Sequence, residues 1–272
     1  MVTVPSAFDG SAPVVRVAAV GDLHFTAGQE GQLAARLEGI EEVADVLLVA
    51  GDLTEQGHPE EGAGVGRELA TAGVPVLAVP GNHDHHAEKE DEVVAAVEGH
   101  GVRVLRGGGV LMDVGPLRLG VAGVKGFGGG FPGACVTEFG EPAMKEFAAY
   151  ARAEADRLET ALKSLDADVR IALLHYSPCR ETLRGERLEL YPVLGSHLLA
   201  GAIDRAGADL VLHGHAHFGR PEGATPSGIP VRNVALPVIR HAARIFQLSS
   251  SGRWGPGRRR SPSRSWSLTP RG

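Results

Sequence analysis

The sequence predicts an α/β protein with one or two mixed β-sheets. Three observations lead there. Short runs rich in Val, Leu and Ile alternate with stretches of helical spacing in the first third of the chain, as in strand–helix–strand units. A cluster of apolar runs separated by glycine-rich turns follows near residues 102–123, the pattern of hairpin-connected strands. At 272 residues and 43% hydrophobic content, the chain is long enough to bury a core without disulfide or metal staples.

The elements follow in order. VVRVAAV (14–20) reads as a buried strand. Leu33, Leu37, Ile40 and Ala44 then recur at helical spacing. VLLVA (46–50) and VPVLAV (74–79) are the second and third strands, and residues 88–98 a helix. VRVL, VLMDV and LRLGVAG are three short strands. Met144, Phe147, Ala151, Ala155, Leu158, Leu162 and Leu165 mark one long amphipathic helix, with Met144 and Phe147 as core positions. VRIALLH (169–175) is a strand, 196–206 a helix and DLVLHGH (209–215) a strand entering a loop. IPVRNVA and ARIFQLS are the last strands. Residues 125–142 and 176–195 have no regular pattern, and long loops of this kind often serve as lids or binding loops. The domain is expected to span 1–248. A tail over 249–272, rich in Arg, Ser and Pro, is expected to be disordered.

The net charge of −6 argues against a protein whose main task is to coat nucleic acid. The charge is unevenly spread: the last twenty residues carry Arg253, Arg258, Arg259, Arg260, Arg264 and Arg271 and no acid. A solvated tail is favoured over a nucleic-acid contact. Two distant cysteines, Cys135 and Cys179, read as free thiols in a reducing compartment. No signal peptide or membrane span is visible, so a cytoplasmic location and no membrane partner are expected.

Chemistry-bearing residues gather after strands. Asp22 and His24 (GDLH) follow the first strand, Asp52 (GDLTEQG) the second, and Asn82, His83 and Asp84 (GNHD) the third. His175 ends a later strand, and His215 and His217 (HGHAH) follow the next. Ligands of open α/β sheets bind at the carboxyl ends of the strands, so five distant segments can converge. Carboxylate, imidazole and amide oxygen suit manganese, iron or zinc, and the lack of thiolates argues against a structural zinc site. Seven such ligands are enough for two divalent ions, manganese being the first choice. Gly21, Gly51 and Gly81 allow close backbone approach.

In this order, DxH, GDL, GNHD, a strand-terminal His and GHxH resemble the calcineurin-like metallophosphoesterase superfamily over about residues 14–248. The resemblance implies two mixed β-sheets packed as a sandwich with helices outside. It implies that Asp22, His24 and His217 bind one metal, that Asn82, His175 and His215 bind a second, and that Asp52 bridges both. His83 would stabilise or protonate the leaving oxygen, with Asp84 fixing its ring. GDLTEQG is also similar to the form found in the cyclic-nucleotide phosphodiesterase-like branch. Tyr176, where that branch usually has a second His, departs from it.

The expected activity is hydrolysis of phosphodiesters, with a small substrate such as a nucleotide or a nucleic-acid fragment. A phosphomonoesterase or phosphoprotein phosphatase with the same core is the alternative, and a scaffold without catalysis a third reading. Gly126 to Gly130 is expected to be a flexible lid rather than a phosphate cradle, and Arg180, Arg184 and Arg187 a solvated loop face.

Overall fold

The computed structural model describes residues 13–250. Its first half contains β1 (Val15–Val20), α1 (Gln32–Leu37), α2 (Ile40–Val43), β2 (Val46–Ala50), α3 (Pro59–Leu69), β3 (Val76–Val79), α4 (Glu90–Glu98) and β4 (Arg103–Val104). The second half contains β5 (Gly108–Val114), β6 (Leu117–Val124), β7 (Gly130–Phe131), β8 (Ala134–Cys135), α5 (Pro142–Lys163) and β9 (Val169–Leu174). There follow α6 (Tyr191–Leu194), α7 (His197–Ala206), β10 (Leu210–His213), β11 (Glu222–Ala224), β12 (Pro230–Asn233), α8 (Leu236–Ile239) and β13 (Arg244–Leu248). All but the first two residues of the expected tail lie outside the described residues.

Strands form two mixed sheets. One has the order β13-β1-β2-β3-β4 and the other β11-β12-β10-β9-β6-β5. Neighbours from β1 through β4 are parallel, as are β6, β9, β10 and β12, while β13, β5 and β11 run antiparallel at the edges. The central strands β2 and β3 are buried throughout, which explains their unbroken apolar runs.

Alternation within the second sheet separates two cores. Leu119, Val121, Ile171 and Leu173 face inward and join Leu47, Leu48 and Val49 of the first sheet. Ala122, Val124, Ala172 and Leu174 are on the opposite face, against Leu158 and Leu162 of α5 and Leu199 and Ile203 of α7. The period of two places successive side chains on opposite faces. The architecture is therefore the expected sandwich of mixed sheets with helices outside.

Local departures have physical causes. The helix expected over 33–44 is broken at Gly39, whose φ of 76° is left-handed, into α1 and α2. Helix α3 has no counterpart in the sequence reading, because Gly62, Gly64 and Gly66 lower its propensity. Those glycines allow close packing: a Cβ on Gly64 would lie 2.3 Å from Phe25 Cε1, and one on Gly62 3.0 Å from the Val93 carbonyl of α4. A Pro at its first turn and the Glu61 carboxylate, which accepts from Gln56 N–H at 2.9 Å, start the helix. Met144 is not a core position; it is 41% exposed, whereas Phe147 packs on Phe127 at a ring separation of 4.9 Å.

The two unpatterned segments are ordered by each other. Residues 125–142 contain the β7–β8 hairpin and 176–195 contain α6. Gly129 N–H donates to Pro192 O at 2.7 Å and Gly130 N–H to Gly195 O at 2.9 Å. The glycine-rich stretch is thus fastened to the second loop, and these amides are unavailable to a phosphate. No described helix is long and apolar enough to cross a membrane.

A Gly64→Ala substitution tests the packing of α3. In an open helix the change would stabilise by up to ~1 kcal/mol. Here the methyl meets a buried Phe25 ring, and a loss of ~1–3 kcal/mol is expected from overpacking, read as a lower urea midpoint. A raised midpoint would contradict the close approach.

Candidate metal centre

Strands β1, β2, β3, β9 and β10 end at one rim, and the loops that leave them have unusual backbones. Asp22, His24, Asp52 and His215 have φ of 59°, 47°, 48° and 69°. Among the described residues only Glu88 and Arg240 share positive φ without being glycine. Such conformations persist where the surroundings over-determine them, and they concentrate at functional sites. Asp22 N–H donates to Gly51 O at 2.9 Å, His24 N–H to Asp52 O at 3.0 Å and Phe25 N–H to Leu53 O at 3.1 Å. The first loop therefore lies along the second. A Cβ on Gly51 would fall 2.4 Å from His175 Nδ1, and one on Gly81 2.0 Å from Asp52 Oδ1, so both positions require glycine for contact between loops.

Every sequence-predicted site residue except Asp84 contributes a side chain to the resulting cluster. Asp22 is 2% exposed and Asp52 1%. Asp22 Oδ1 accepts from His217 Nε2 at 2.9 Å, and its two oxygens accept from His215 N–H at 2.9 and 3.0 Å. Asp52 faces both ways: Oδ2 lies 3.7 Å from His24 Nε2 and Oδ1 3.3 Å from His175 Nε2. His175 Nε2 also lies 2.8 Å from Asn82 Oδ1. Ligand atoms of Asp22, His24 and His217 lie within 4.8 Å of one another, and so do those of Asp52, His175 and His215.

Two of the imidazoles, His175 and His215, have a ring nitrogen free for a cation. His175 Nδ1 lies 2.9 Å from Ala50 O; a carbonyl only accepts, so Nδ1 carries the proton and Nε2 has a free lone pair. His215 Nε2 is likewise 3.2 Å from Val193 O, leaving Nδ1 free. Burial lowers the pKa of His215 to about 3 and lowers that of His24. The hydrogen bond to Asp22 raises that of His217, so a cation there competes with a proton. His24 Nε2 is buried without a hydrogen bond, while Nδ1 faces a Glu55 carboxylate oxygen at 3.0 Å. An orphaned nitrogen beside two buried carboxylates is what a divalent ion would satisfy, and the donor set fits one.

Asp84 has a different place from the one the resemblance implies. Its carboxylate does not hold the His83 ring. It accepts from Leu53 N–H at 3.1 Å, Thr54 N–H at 2.8 Å, the Thr54 hydroxyl at 2.7 Å and Gly81 N–H at 2.7 Å. A fully buried carboxylate thus ties the second loop to the third. The His83 ring is held by Glu55: Nδ1 donates to the Glu55 carbonyl at 2.8 Å, with the Glu55 carboxylate at 4.0 Å. Glu55 Oε2 is also 3.0 Å from His24 Nδ1. Glu55 is not among the sequence-predicted site residues; the signal for it is an acid three positions after Asp52 at the same strand end.

His85 and His86 are beside the cluster, His85 paired with Glu90 at 3.1 Å. His213 is fully buried and bonded to Thr182 Oγ1 at 2.9 Å, a support beneath the loop. Arg180, Arg184 and Arg187 are exposed, as expected.

The sequence profile of a family described as calcineurin-like phosphoesterase matches residues 15–219. No curated protein sequence matches the chain. Among solved structures, the phosphopantetheinyl hydrolase PptH from Mycobacterium tuberculosis is similar with a TM-score of 0.63 and 16% identity, over 89% of this chain and 98% of that one. TT1561 of Thermus thermophilus is similar with a TM-score of 0.54 and 21% identity, over 88% and 100%. A putative 5'-nucleotidase from Staphylococcus aureus gives 0.52 and 15%, over 81% of this chain and 48% of that one. At these identities the likeness is one of fold.

Asp84→Asn separates the two roles for this side chain. An amide replaces one acceptor oxygen with a donor facing buried N–H groups. A loss of ~1–3 kcal/mol is expected, read as a lower thermal midpoint of the metal-free protein. An unchanged midpoint would show that Asp84 does not brace the loops.

Proposed function

We propose that this chain, which belongs to the calcineurin-like phosphoesterase family, hydrolyses phosphodiesters, such as a nucleotide or a nucleic-acid fragment. The observation that carries the reading is Asp52, whose two oxygens face His24 and His175. Asp22, His24 and His217 would hold one divalent ion, Asn82, His175 and His215 a second, and Asp52 would reach both. Manganese is the first choice, with iron or zinc as alternatives. When bound, the pair would supply Lewis acidity and a water acidic enough to be deprotonated near neutral pH.

The protein's own residues would do the rest. Asp52 Oδ1 accepts from His83 N–H at 2.9 Å, so the backbone of the third loop is fixed to the shared carboxylate. With Nδ1 bound to the Glu55 carbonyl, His83 directs Nε2 as the donor to the leaving oxygen. The Glu55 carboxylate lies 4.0 Å from the same Nδ1, and a ring held in this way is placed to act as the proton donor. The chemistry is positioning and charge stabilisation around two buried carboxylates.

Preference for a diester rests on charge and on the form of GDLTEQG. Among the described residues, no Lys or Arg pairs with Asp22, Asp52 or Glu55. A singly charged ester needs less positive charge than a doubly charged monoester. A phosphomonoesterase or phosphoprotein phosphatase with the same core is the second reading. The phosphopantetheinyl hydrolase and nucleotidase among the solved neighbours show how widely this fold's substrates are named. A non-catalytic scaffold is disfavoured because every ligand position is filled.

With added manganese, bis-p-nitrophenyl phosphate should turn over faster than p-nitrophenyl phosphate; turnover of the monoester alone would reverse the choice. Asp52→Asn should lower kcat by about a hundredfold or more, the scale of losing one preorganised electrostatic partner, and release metal on dialysis. Near-normal rates would remove the shared carboxylate. His83→Ala should lower kcat ~10²–10⁴-fold, most for poor leaving groups, with metal retained. Loss of metal in that variant would make His83 a ligand.

A further inference from the structure

Lys125 immediately follows β6 and is 9% exposed. Its ammonium has no ion pair or hydrogen bond among the described residues. It lies 5.6 Å from the ring centre of Phe127 and 5.3 Å from that of Tyr150, contacts that stabilise a cation only modestly. The carboxylates that act on it, Glu154, Glu90, Asp52 and Asp84, are each engaged elsewhere, Asp84 with the loop amides described above. Glu154 accepts from Gly126 N–H and from Arg157, both at 2.9 Å. Glu90 pairs with His85 at 3.1 Å and Arg106 at 3.8 Å. Asp52 belongs to the metal centre. An ammonium without a direct carboxylate partner is open to an anionic ligand.

Tyr176 shares this state. It is 7% exposed, and its hydroxyl has no hydrogen-bond partner among the described residues. Its ring is 4.4 Å from that of His215 and 5.8 Å from that of Phe127. It therefore spans from the metal centre to the aromatic wall beside Lys125. The Lys125 carbonyl accepts from His175 N–H at 3.0 Å and Tyr176 N–H at 3.1 Å, so both side chains are anchored to the strand end that carries His175.

We propose that Lys125 and Tyr176, walled by Phe127 and Tyr150, form a subsite for a second, non-reacting anionic group of the substrate, a phosphate or carboxylate one short linker away from the reacting phosphorus. This rests on the phosphoester reading only for what occupies the neighbouring centre. Lys125 gives the charge and the Tyr176 hydroxyl gives a directed donor. Such a subsite selects esters with an anion on the leaving or bridging portion over simple aryl or alkyl esters.

The test is binding, measured calorimetrically on the manganese-loaded full chain and again on metal-free protein. The probes are propylphosphonate, 3-phosphonopropionate and propane-1,3-diphosphonate, none of which can be hydrolysed as an ester. Wild type should bind at least one doubly functional probe about tenfold or more tightly than propylphosphonate; the preferred probe identifies the anion as phosphate or carboxylate. Lys125→Met should abolish that margin, and Tyr176→Phe, which removes only a hydroxyl, should reduce it about threefold. Equal affinity for all three probes in wild type, or a margin unchanged in both variants, would overturn the subsite. A margin that persists in a chain without esterase activity would support the subsite while refuting the proposed reaction.

Discussion

Two buried carboxylates set the terms for the rest of this molecule. Asp22 and Asp52 are almost wholly removed from water, yet their neighbours are imidazoles, with no Lys or Arg among the described residues paired to them. Burying carboxylates without a strong cation is unfavourable, and the left-handed backbone at both residues adds strain. The fold sustains this through two continuous cores, one between the sheets and one under α5 and α7. The parallel strands end together on the stiff platform that results, and the loops have little freedom to relax.

Stiffness at the rim comes from loop-to-loop bonds. Asp84 joins the second and third loops, backbone amides join the first and second, and the Ala50 and Val193 carbonyls fix the tautomers of His175 and His215. Each bond to an imidazole orients a nitrogen lone pair inward and keeps a proton outward. The neutral imidazoles at His24 and His215 follow from burial, so the environment that strains the carboxylates also prepares the nitrogens for a cation.

Much of this was legible in the sequence because it is local. A buried parallel strand writes itself as a mostly apolar run: β2 and β3 are unbroken, and β1, β9 and β10 each carry a single polar residue. The motifs at their ends need no three-dimensional information to be seen. What escaped depends on partners far away in the chain. Helix α3 is hidden because its glycines answer to Phe25 and α4, not to helix propensity. Met144 keeps the period of α5 but is 41% exposed. The work of Asp84 is decided by which amides face it, and that of Glu55 by the loop that brings its carbonyl to His83. Spacing alone could not distinguish those two acids.

Asp52 has to serve two ions at once for the proposed centre to work. Electron paramagnetic resonance of the manganese-loaded full chain, alongside elemental analysis, addresses that directly. Two manganese ions per chain with the spectrum of an exchange-coupled pair are expected. One ion per chain, or two ions giving the spectrum of isolated manganese, would contradict it.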